Sequence, residues 1–287
     1  MNCRAAPSVR CCAAKLKLCL PKPEGNTVTS KPETKLATHT LTSLFVRDMN
    51  LVDDMMGQMT FTDAMFYHII GQRPSKGQTA VLDAVLVTLM EHGFTPSAIA
   101  ARMTYLSAPE ALQAAVSAGL LNVASQFVGT MENCAAILEQ LVTDEDGVEA
   151  AARRVAQSAR AEKRHLPGFG HHLHKPDDPR SPKLFEIARA QDDVDGRYID
   201  ALLVLSSAVD EAYGKHLTIN ATGATAAVML GIGVPARIMR GFAVISRAAG
   251  LVAHIMEEQD NPAGRTIWEV VEETIPYTGD ADIKPAK

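Results

Sequence analysis

Residues 166–182 read LPGFGHHLHKPDDPRSP and interrupt a chain that otherwise has the pattern of helices. The segment contains four prolines, two glycines, three histidines and two aspartates, together with one lysine and one arginine. Prolines and glycines set the path of a backbone, so the segment is predicted to be a shaped loop. A long loop within a helical protein is usually functional or disordered, and dense titratable chemistry on a constrained loop favours function.

The sequence on both sides of this loop carries repeated helix signals. Thr62 and Asp63 are predicted to cap a helix that ends at Gly71, and residues 107–110 (SAPE) have the pattern of a capping box. Further helices are predicted over 80–92, 147–161, 182–191, 197–213 and 235–257. No stretch shows sustained alternation with a period of two, as exposed strands would. The fold class is therefore predicted to be all-α.

Composition excludes several classes of protein. The 287 residues include 47% hydrophobic residues, too many for a disordered chain, and carry 28 Lys and Arg against 33 Asp and Glu. The net charge of -5 argues against an electrostatic partnership with nucleic acid or an anionic membrane. Two uncharged stretches, 112–131 and 217–236, are long enough to cross a membrane, but their polar residues and breaks predict buried helices instead.

The first 40 residues differ from the rest. Up to Lys22 the chain has five basic residues and no acidic one, and four of the five cysteines fall within the first nineteen residues. Residues 1–40 are predicted to be a disordered leader, with an organelle transit peptide as the alternative. The absence of a spread cysteine framework favours a reducing compartment, so a cytoplasmic location is expected.

The loop allows two readings of its chemistry. His171, His172 and His174 with the two aspartates resemble metal ligands, but adjacent residues rarely aim at one point, so no metal is predicted. Alternatively, Gly168 and Gly170 shape a turn that presents His171 to a carbonyl or oxyanion, while Arg180 offers the fork that suits a carboxylate or phosphate. From spacing alone, a solvated surface loop remains equally open.

The combination GFGH…DPR resembles the signature of the citrate synthase superfamily, with His171 and Arg180 at its two key positions. The resemblance covers roughly residues 40–280. The other segments that match family elements, in the same order, are 61–74 (FTDAMFYHIIGQRP), Met90–Glu91–His92 with the later Arg102, 231–235 (GIGVP), 246–250 (SRAAG) with His254 and Glu257, and 276–279 (PYTG).

This resemblance implies a fold and a set of partners. It implies a large helical domain, 41–132 and 236–287, into which a small helical domain, 133–235, is inserted, with the active cleft between them and a homodimer as the assembly. It also implies that the substrates are a CoA thioester and a dicarboxylate, without a tightly bound cofactor. His171 would then be the catalytic residue, and Arg180 and Arg247 would bind carboxylates. Gly168, Gly170, Lys175 and Lys183 would contact the CoA thioester.

The sequence departs from the family at two catalytic positions. Phe127 (or Val128) stands where a citrate synthase has a histidine, and Thr222 stands where it has an aspartate base. This pattern resembles a short, citryl-CoA lyase-like branch, which implies cleavage of citryl-CoA to acetyl-CoA and oxaloacetate, with Phe127 and Thr222 beside the substrate. A citrate or 2-methylcitrate synthase and a non-catalytic binding homologue are the alternatives.

Overall fold

The computed structural model describes residues 32–279, and within them helices dominate, which confirms the all-α prediction. The only strands described there are three short ones, Ala37–His39 (β1), Leu44–Val46 (β2) and Met49–Asn50 (β3), which form an antiparallel meander. The helices are α1 Phe61–Ile70, α2 Lys76–Met90, α3 Pro96–Ser107, α4 Leu112–Leu121, α5 Thr130–Thr143, α6 Val148–Ala161, α7 Arg180–Arg189, α8 Arg197–Tyr213, α9 Ala221–Gly231, α10 Met239–Asp260 and α11 Gly264–Thr274.

Helix α9 lies at the centre of the fold and packs against α2, α5, α7 and α8. Every residue in it except Thr222 is buried, and its sequence, ATGATAAVMLG, is rich in small side chains. Small side chains let neighbouring helices approach closely, so a short helix can be surrounded on all sides. The N-terminus of α9 is fixed by Asn220, whose side chain accepts hydrogen bonds from the backbone of Thr222 and Gly223.

Two helix starts differ from the sequence prediction. The capping box of α1 is formed by Thr60 with Asp63, two residues before the predicted position. The box predicted at 107–110 is wrong, because Ser107 is the last residue of α3 and its hydroxyl donates to the carbonyl of Met103. Helix α4 instead begins at Leu112 without a side-chain cap.

A single hydrophobic core extends through both segments that the sequence assigns to separate domains. It includes Val85 of α2, Leu138 of α5, Leu205 of α8 and Phe242 of α10. The boundary predicted after residue 132 falls in the first turn of α5, and the one after 235 falls at a short 3-10 helix, Ala236–Ile238. The two-domain division remains a prediction. Of the predicted leader, the structure describes 32–40, which include β1, and the rest lies outside the described residues.

Neither uncharged stretch forms a membrane-length helix. Stretch 112–131 is divided by the turn after α4, and stretch 217–236 contains the eleven-residue α9. Among the described residues, one helical span, Ala236–Asp260, is long and apolar enough to cross a membrane by length and composition alone, and half of its apolar window is buried. The same span carries the buried Arg247, His254 and Glu258, as suits a core helix that also contributes to a polar site.

Candidate active site

A cavity of about 580 Å³ opens between the end of α2, the turn before α5, the loop 166–182, the N-terminus of α9 and the middle of α10. Six of the residues predicted to meet substrate or CoA line it: Phe127, Gly170, His171, Arg180, Thr222 and Arg247. His92, Phe127 and Arg247 come from the predicted large domain, and His171, Arg180 and Thr222 from the predicted small one. The cavity thus lies between the two predicted segments.

The loop is held against the segment that precedes α9. Phe169 and Ile219 form an isolated antiparallel bridge, and the N–H of Gly170 donates to the carbonyl of Thr218 at 2.8 Å. The side chain of Asn220 donates to the carbonyl of Gly170 at 2.9 Å. The turn that carries His171 is therefore fixed by backbone pairing and by the same asparagine that caps α9.

Gly168 lies beneath the cavity and does not line it, which differs from the predicted contact with the CoA thioester. It has φ of 86°, and a Cβ there would lie 2.6 Å from Sγ of Cys134 and 3.0 Å from Cα of Gly223. Only glycine allows this approach of the loop to α5 and α9. Cys134 is itself fully buried, and burial raises the pKa of its thiol to about 12.

His171 is oriented by backbone groups. Its Nδ1 accepts hydrogen bonds from the N–H groups of Leu173 at 3.1 Å and His174 at 3.0 Å. Burial, followed by the proximity of His174, lowers the pKa of His171 to about 4. At neutral pH the ring is therefore neutral, and because Nδ1 accepts, its proton is on Nε2. His171 can thus act as a neutral hydrogen-bond donor from Nε2.

His92, which the sequence shows only as part of a family element, is a residue of the site. It follows the end of α2, lines the cavity, and its ring centroid lies 5.6 Å from that of His171 and 5.7 Å from that of His174. Burial, followed by the positive charge of Arg180, lowers the pKa of His92. A neutral His92 beside His171 can accept a proton. His171 cannot do so through Nδ1, because that nitrogen already accepts two backbone hydrogen bonds.

His92, His171 and His174 also form a cluster that could hold a metal ion, since one ring nitrogen from each lies within 4.8 Å of the others. A tetrahedral zinc site with Zn–N bonds of about 2.0–2.1 Å needs nitrogens roughly 3.4 Å apart. Arg180 and Arg247 lie close enough to lower the pKa of His92, and the same positive charges oppose a cation. The absence of a metal therefore remains a prediction, and a metal ion bound by these three histidines would contradict it.

Arg180 is the first residue of α7 and is held by the carboxylate of Asp178. Its Nε and Nη2 donate to Asp178 at 2.9 and 2.7 Å, and its backbone N–H donates to the same carboxylate. Asp178 is fully buried and also accepts from the N–H of Ala221 at 3.0 Å. Burial alone would raise the pKa of Asp178, but the hydrogen bonds from Arg180 and Ala221 outweigh it and lower the pKa. The guanidinium is thereby fixed with its Nη1 free of Asp178.

Arg247 carries a charge that forms no ion pair with any residue in the described part of the chain. Its side chain is 8% exposed, lines the cavity, and its buried Nη1 has no hydrogen-bond partner among the described residues. Burial lowers its pKa, a shift that the charge of Glu91 partly opposes. A buried cation without a bonded partner is costly, so its presence at a cavity wall indicates an anionic ligand.

Phe127 and Thr222 line another part of the cavity wall. Phe127 lies in the turn before α5 and is 59% exposed. The hydroxyl of Thr222 lies 2.7 Å from the side-chain oxygen of Asn220 and 2.9 Å from the hydroxyl of Thr130. Among the described residues that line the cavity there is no aspartate or glutamate. This side of the cavity therefore offers hydroxyl groups and an aromatic ring, but no carboxylate base.

Lys175 and Lys183, like Gly168, do not line the cavity. Lys183 is exposed and pairs with Glu186 at 2.5 Å one turn further along α7, and Lys175 is exposed on the loop. The contact of these two lysines with CoA phosphates is predicted only from their closeness to the loop in sequence. In the structure, the side chain of Lys183 lies along the exposed surface of α7, beside Glu186.

Comparison with known proteins gives a consistent family. The family model described as "Citrate synthase, C-terminal domain" matches residues 34–268. The 2-methylcitrate synthase of Shewanella oneidensis is 29% identical over 217 residues, which are 75% of this chain and 54% of that protein. The citrate synthase of Heyndrickxia coagulans is 26% identical, over 71% of this chain and 53% of that protein. The chain thus spans about half the length of the curated relatives that it matches.

Solved structures show the same fold. The citryl-CoA lyase of Hydrogenobacter thermophilus superposes with a TM-score of 0.77 and 29% identity, covering 88% of this chain and 97% of that one. The citrate synthase of Thermotoga maritima has a TM-score of 0.60 and 20% identity, covering 80% of this chain and 60% of that one. The predicted citrate synthase-like fold is confirmed by these superpositions. The matched family model covers most of the chain, and this protein belongs to the citrate synthase family.

Proposed function

We propose that this protein is an enzyme that cleaves the carbon–carbon bond of citryl-CoA, giving acetyl-CoA and oxaloacetate. The observation that carries the proposal is the pair of arginines at one end of the cavity, Arg180 fixed by Asp178 and Arg247 buried without a hydrogen-bonded partner at Nη1. Two guanidinium groups beside a neutral histidine suit a dicarboxylate that also bears an oxygen on the carbon between them.

His171 and His92 can serve that oxygen together. Two hydrogen bonds of about 2.8 Å that meet at one oxygen at roughly 120° span about 4.8 Å, and one ring nitrogen of His171 lies within 4.8 Å of one ring nitrogen of His92. The tertiary hydroxyl of citryl-CoA would accept from Nε2–H of His171 and donate its proton to the neutral ring of His92. His171 then stabilises the alkoxide that forms.

Cleavage follows from that alkoxide. Its electrons form the ketone of oxaloacetate, the carbon–carbon bond breaks, and the bonding pair passes to the acyl carbon as the enolate of acetyl-CoA. The enolate takes a proton from water, and His92 returns its proton to solvent, so the hydroxyl proton is balanced by the proton gained on carbon. The hydroxyls of Thr130 and Thr222, 2.9 Å apart, line the cavity and would face the thioester end of the substrate.

The comparisons support cleavage more than synthesis. The chain covers 97% of the Hydrogenobacter citryl-CoA lyase but only 54% of the Shewanella 2-methylcitrate synthase, at the same 29% identity. Within residues 32–279, the cavity lining also has no carboxylate that would remove a proton from acetyl-CoA. A citrate or 2-methylcitrate synthase is the second candidate, which the family membership favours, and a dicarboxylate-binding homologue without turnover is the third.

One coupled assay separates these candidates. Citryl-CoA is supplied, and oxaloacetate is followed by its reduction with NADH and malate dehydrogenase; in a parallel arm, acetyl-CoA and oxaloacetate are supplied and free CoA is measured. We expect rapid release of oxaloacetate in the first arm. Activity with acetyl-CoA and oxaloacetate but none with citryl-CoA would assign a synthase, and saturable binding of oxaloacetate without turnover in either arm would assign a binding protein.

The partners and location are part of the same proposal. CoA thioester and dicarboxylate are the substrates, the protein acts as a homodimer in the cytoplasm, and no tightly bound cofactor takes part. Exposed apolar side chains at Trp268, Val271 and Ile275 of the α11 region support an assembly of more than one copy. Sedimentation of the purified protein tests the dimer, and a chain that sediments as a monomer at micromolar concentration would refute it.

A further inference from the structure

We propose that a chain of polar side chains formed by Arg102, His254 and Glu91 positions His92 in the cavity. None of these three residues lines the cavity. Arg102 is in α3, His254 is in α10, and Glu91 directly follows α2. The inference rests on the proposed function, because it is there that His92 receives a chemical role. Glu91 and His254 are positioning residues, since they act on the substrate only through His92.

Glu91 holds the turn that carries His92. Its Oε1 accepts hydrogen bonds from the backbone N–H of His92 at 2.7 Å and of Gly93 at 2.6 Å. Burial alone would raise the pKa of Glu91, but the hydrogen bond from the His92 backbone and the close approach of the His254 ring outweigh it and lower the pKa. The carboxylate is therefore charged at neutral pH and binds both N–H groups of the turn, which fixes the direction in which the His92 side chain leaves the backbone.

His254 directs a proton toward Glu91. Its ring is 9% exposed, and its Nδ1 accepts from Nε–H of Arg102 at 3.0 Å. Arginine remains protonated in proteins, so Nδ1 carries no proton and the neutral ring has its proton on Nε2. That nitrogen lies 3.0 Å from Oε2 of Glu91, within ion-pair distance although the angle is poor for a hydrogen bond. Arg102 thereby selects the tautomer that faces Glu91 with a proton.

Arg102 anchors the chain in the interior. Its side chain is fully buried, donates from Nη1 to Glu258 at 2.7 Å and from Nη2 to Glu257, and lies over the ring of Phe94 at 4.9 Å. Glu258 also accepts from the N–H of Gly264 at 2.6 Å, at the start of α11. Because all three nitrogens of this guanidinium are bonded to side chains of α10, its position against that helix is fixed, and His254 has little freedom to move.

The close approach of α10 to the end of α2 depends on one glycine. A Cβ at Gly250 would lie 2.1 Å from the carbonyl oxygen of Met90 and 3.3 Å from Oε2 of Glu91. Glycine at this position lets α10 touch the residue before Glu91, one turn before His254 on the same helix. This close approach brings His254 to Glu91. Side chains that only joined α3 to α10 would not require it.

The test follows the ring of His92 directly. Protein labelled with nitrogen-15 histidine is compared with Glu91→Ala, and the resonances of His92 are assigned by their loss in His92→Gln. We expect Glu91→Ala to shift the ring resonances and the titration of His92 and to lower kcat for citryl-CoA about tenfold, with KM changed less than twofold, because a displaced acceptor affects the chemical step. Glu91→Gln keeps an oxygen for the two N–H groups and should give a smaller change.

Two further variants complete the design. His254→Asn keeps an acceptor for Arg102 but is too short to reach Glu91, so it should shift the His92 resonances in the same direction as Glu91→Ala. Glu162→Gln is the matched control, since Glu162 is a carboxylate bonded to Ser158 and Arg164 on the exposed surface; it should leave the resonances and kcat unchanged.

The outcomes separate this inference from the proposed function. Unchanged His92 resonances in Glu91→Ala and His254→Asn, or a loss of kcat that only follows a loss of folded protein in thermal melts, would overturn the positioning role. If the wild-type protein does not cleave citryl-CoA, the proposed function fails, while the resonances of His92 still decide whether Glu91 and His254 position it.

Discussion

Substituting His171 by alanine tests the centre of the proposed chemistry. The backbone N–H groups of Leu173 and His174 orient the ring before substrate arrives, so Nε2–H is a preorganised donor. Removing one such donor typically costs about 10²–10³ in kcat, or roughly 2.7–4 kcal/mol of transition-state stabilisation. We expect a loss of that size in His171→Ala, measured as oxaloacetate release from citryl-CoA, and a melting temperature close to wild type because the ring faces a cavity.

The neighbouring histidines provide the control for this prediction. His174 supports His171 through its backbone N–H, which alanine retains, so His174→Ala should cost about tenfold or less. His172 is exposed and stacks on His171 at 4.8 Å, and the same limit applies to His172→Ala. Equal losses in His171→Ala and His174→Ala, together with inactivation by a chelator, would refute the donor role and assign the cluster to a metal.

The remaining predictions concern charge. Arg180→Lys should weaken oxaloacetate binding about 10- to 100-fold in calorimetry, since lysine keeps the charge but loses the fork, a loss of about 1.5–3 kcal/mol; unchanged binding would place the dicarboxylate elsewhere. Arg247→Met should abolish that binding and raise the melting temperature of the ligand-free protein, because a buried charge without a bonded partner is removed; a lower melting temperature would contradict this. Hydrogen bonds to Asp210 and then Asp177 raise the pKa of His216, so its stabilisation is fully present below the ordinary histidine pKa and is lost as pH rises through the raised value. Because His216 is 43% exposed, His216→Gln should lower the melting temperature by only ~1–2 °C at pH 6 and less at pH 9, and an equal effect at both would refute the ion pair.

Much of the fold was predictable because its signals are local. The helix predicted over 197–213 matches α8, Arg197–Tyr213, and the one predicted over 147–161 matches α6 to within one residue. Periodicity, caps and glycines act over a few residues, so they can be read without the tertiary structure. The capping box at 107–110 failed for the same reason, since nothing local shows that Ser107 still belongs to the preceding helix.

The candidate site was only partly predictable. His171 and Arg180 lie within one loop, so spacing and family pattern identified both. His92 was not identified, because its meeting with His171 joins the end of α2 to a loop about eighty residues later. Arg102 and Glu91 are similar cases. Both contact His254 of α10, and no sequence spacing reveals contacts between residues so far apart in the chain. The contact of Lys183 with the CoA thioester stays a prediction, because the exposure of its side chain depends on how α7 is rotated.

Two kinds of side chain in the cavity lining support different parts of the proposed chemistry. Charged and titratable groups, His92, His171, Arg180 and Arg247, are proposed to meet the dicarboxylate, and the hydroxyls of Thr130 and Thr222 are proposed to meet the thioester. A base on the thioester side would speed proton transfer at the acyl carbon in both directions alike, so its absence does not by itself choose a direction. An enolate, however, is basic enough to be protonated by water, while a thioester is a weak carbon acid that water deprotonates slowly. Protonation by water therefore lets cleavage finish without a base on this side of the cavity, and removal of the products, rather than the missing base, sets the direction.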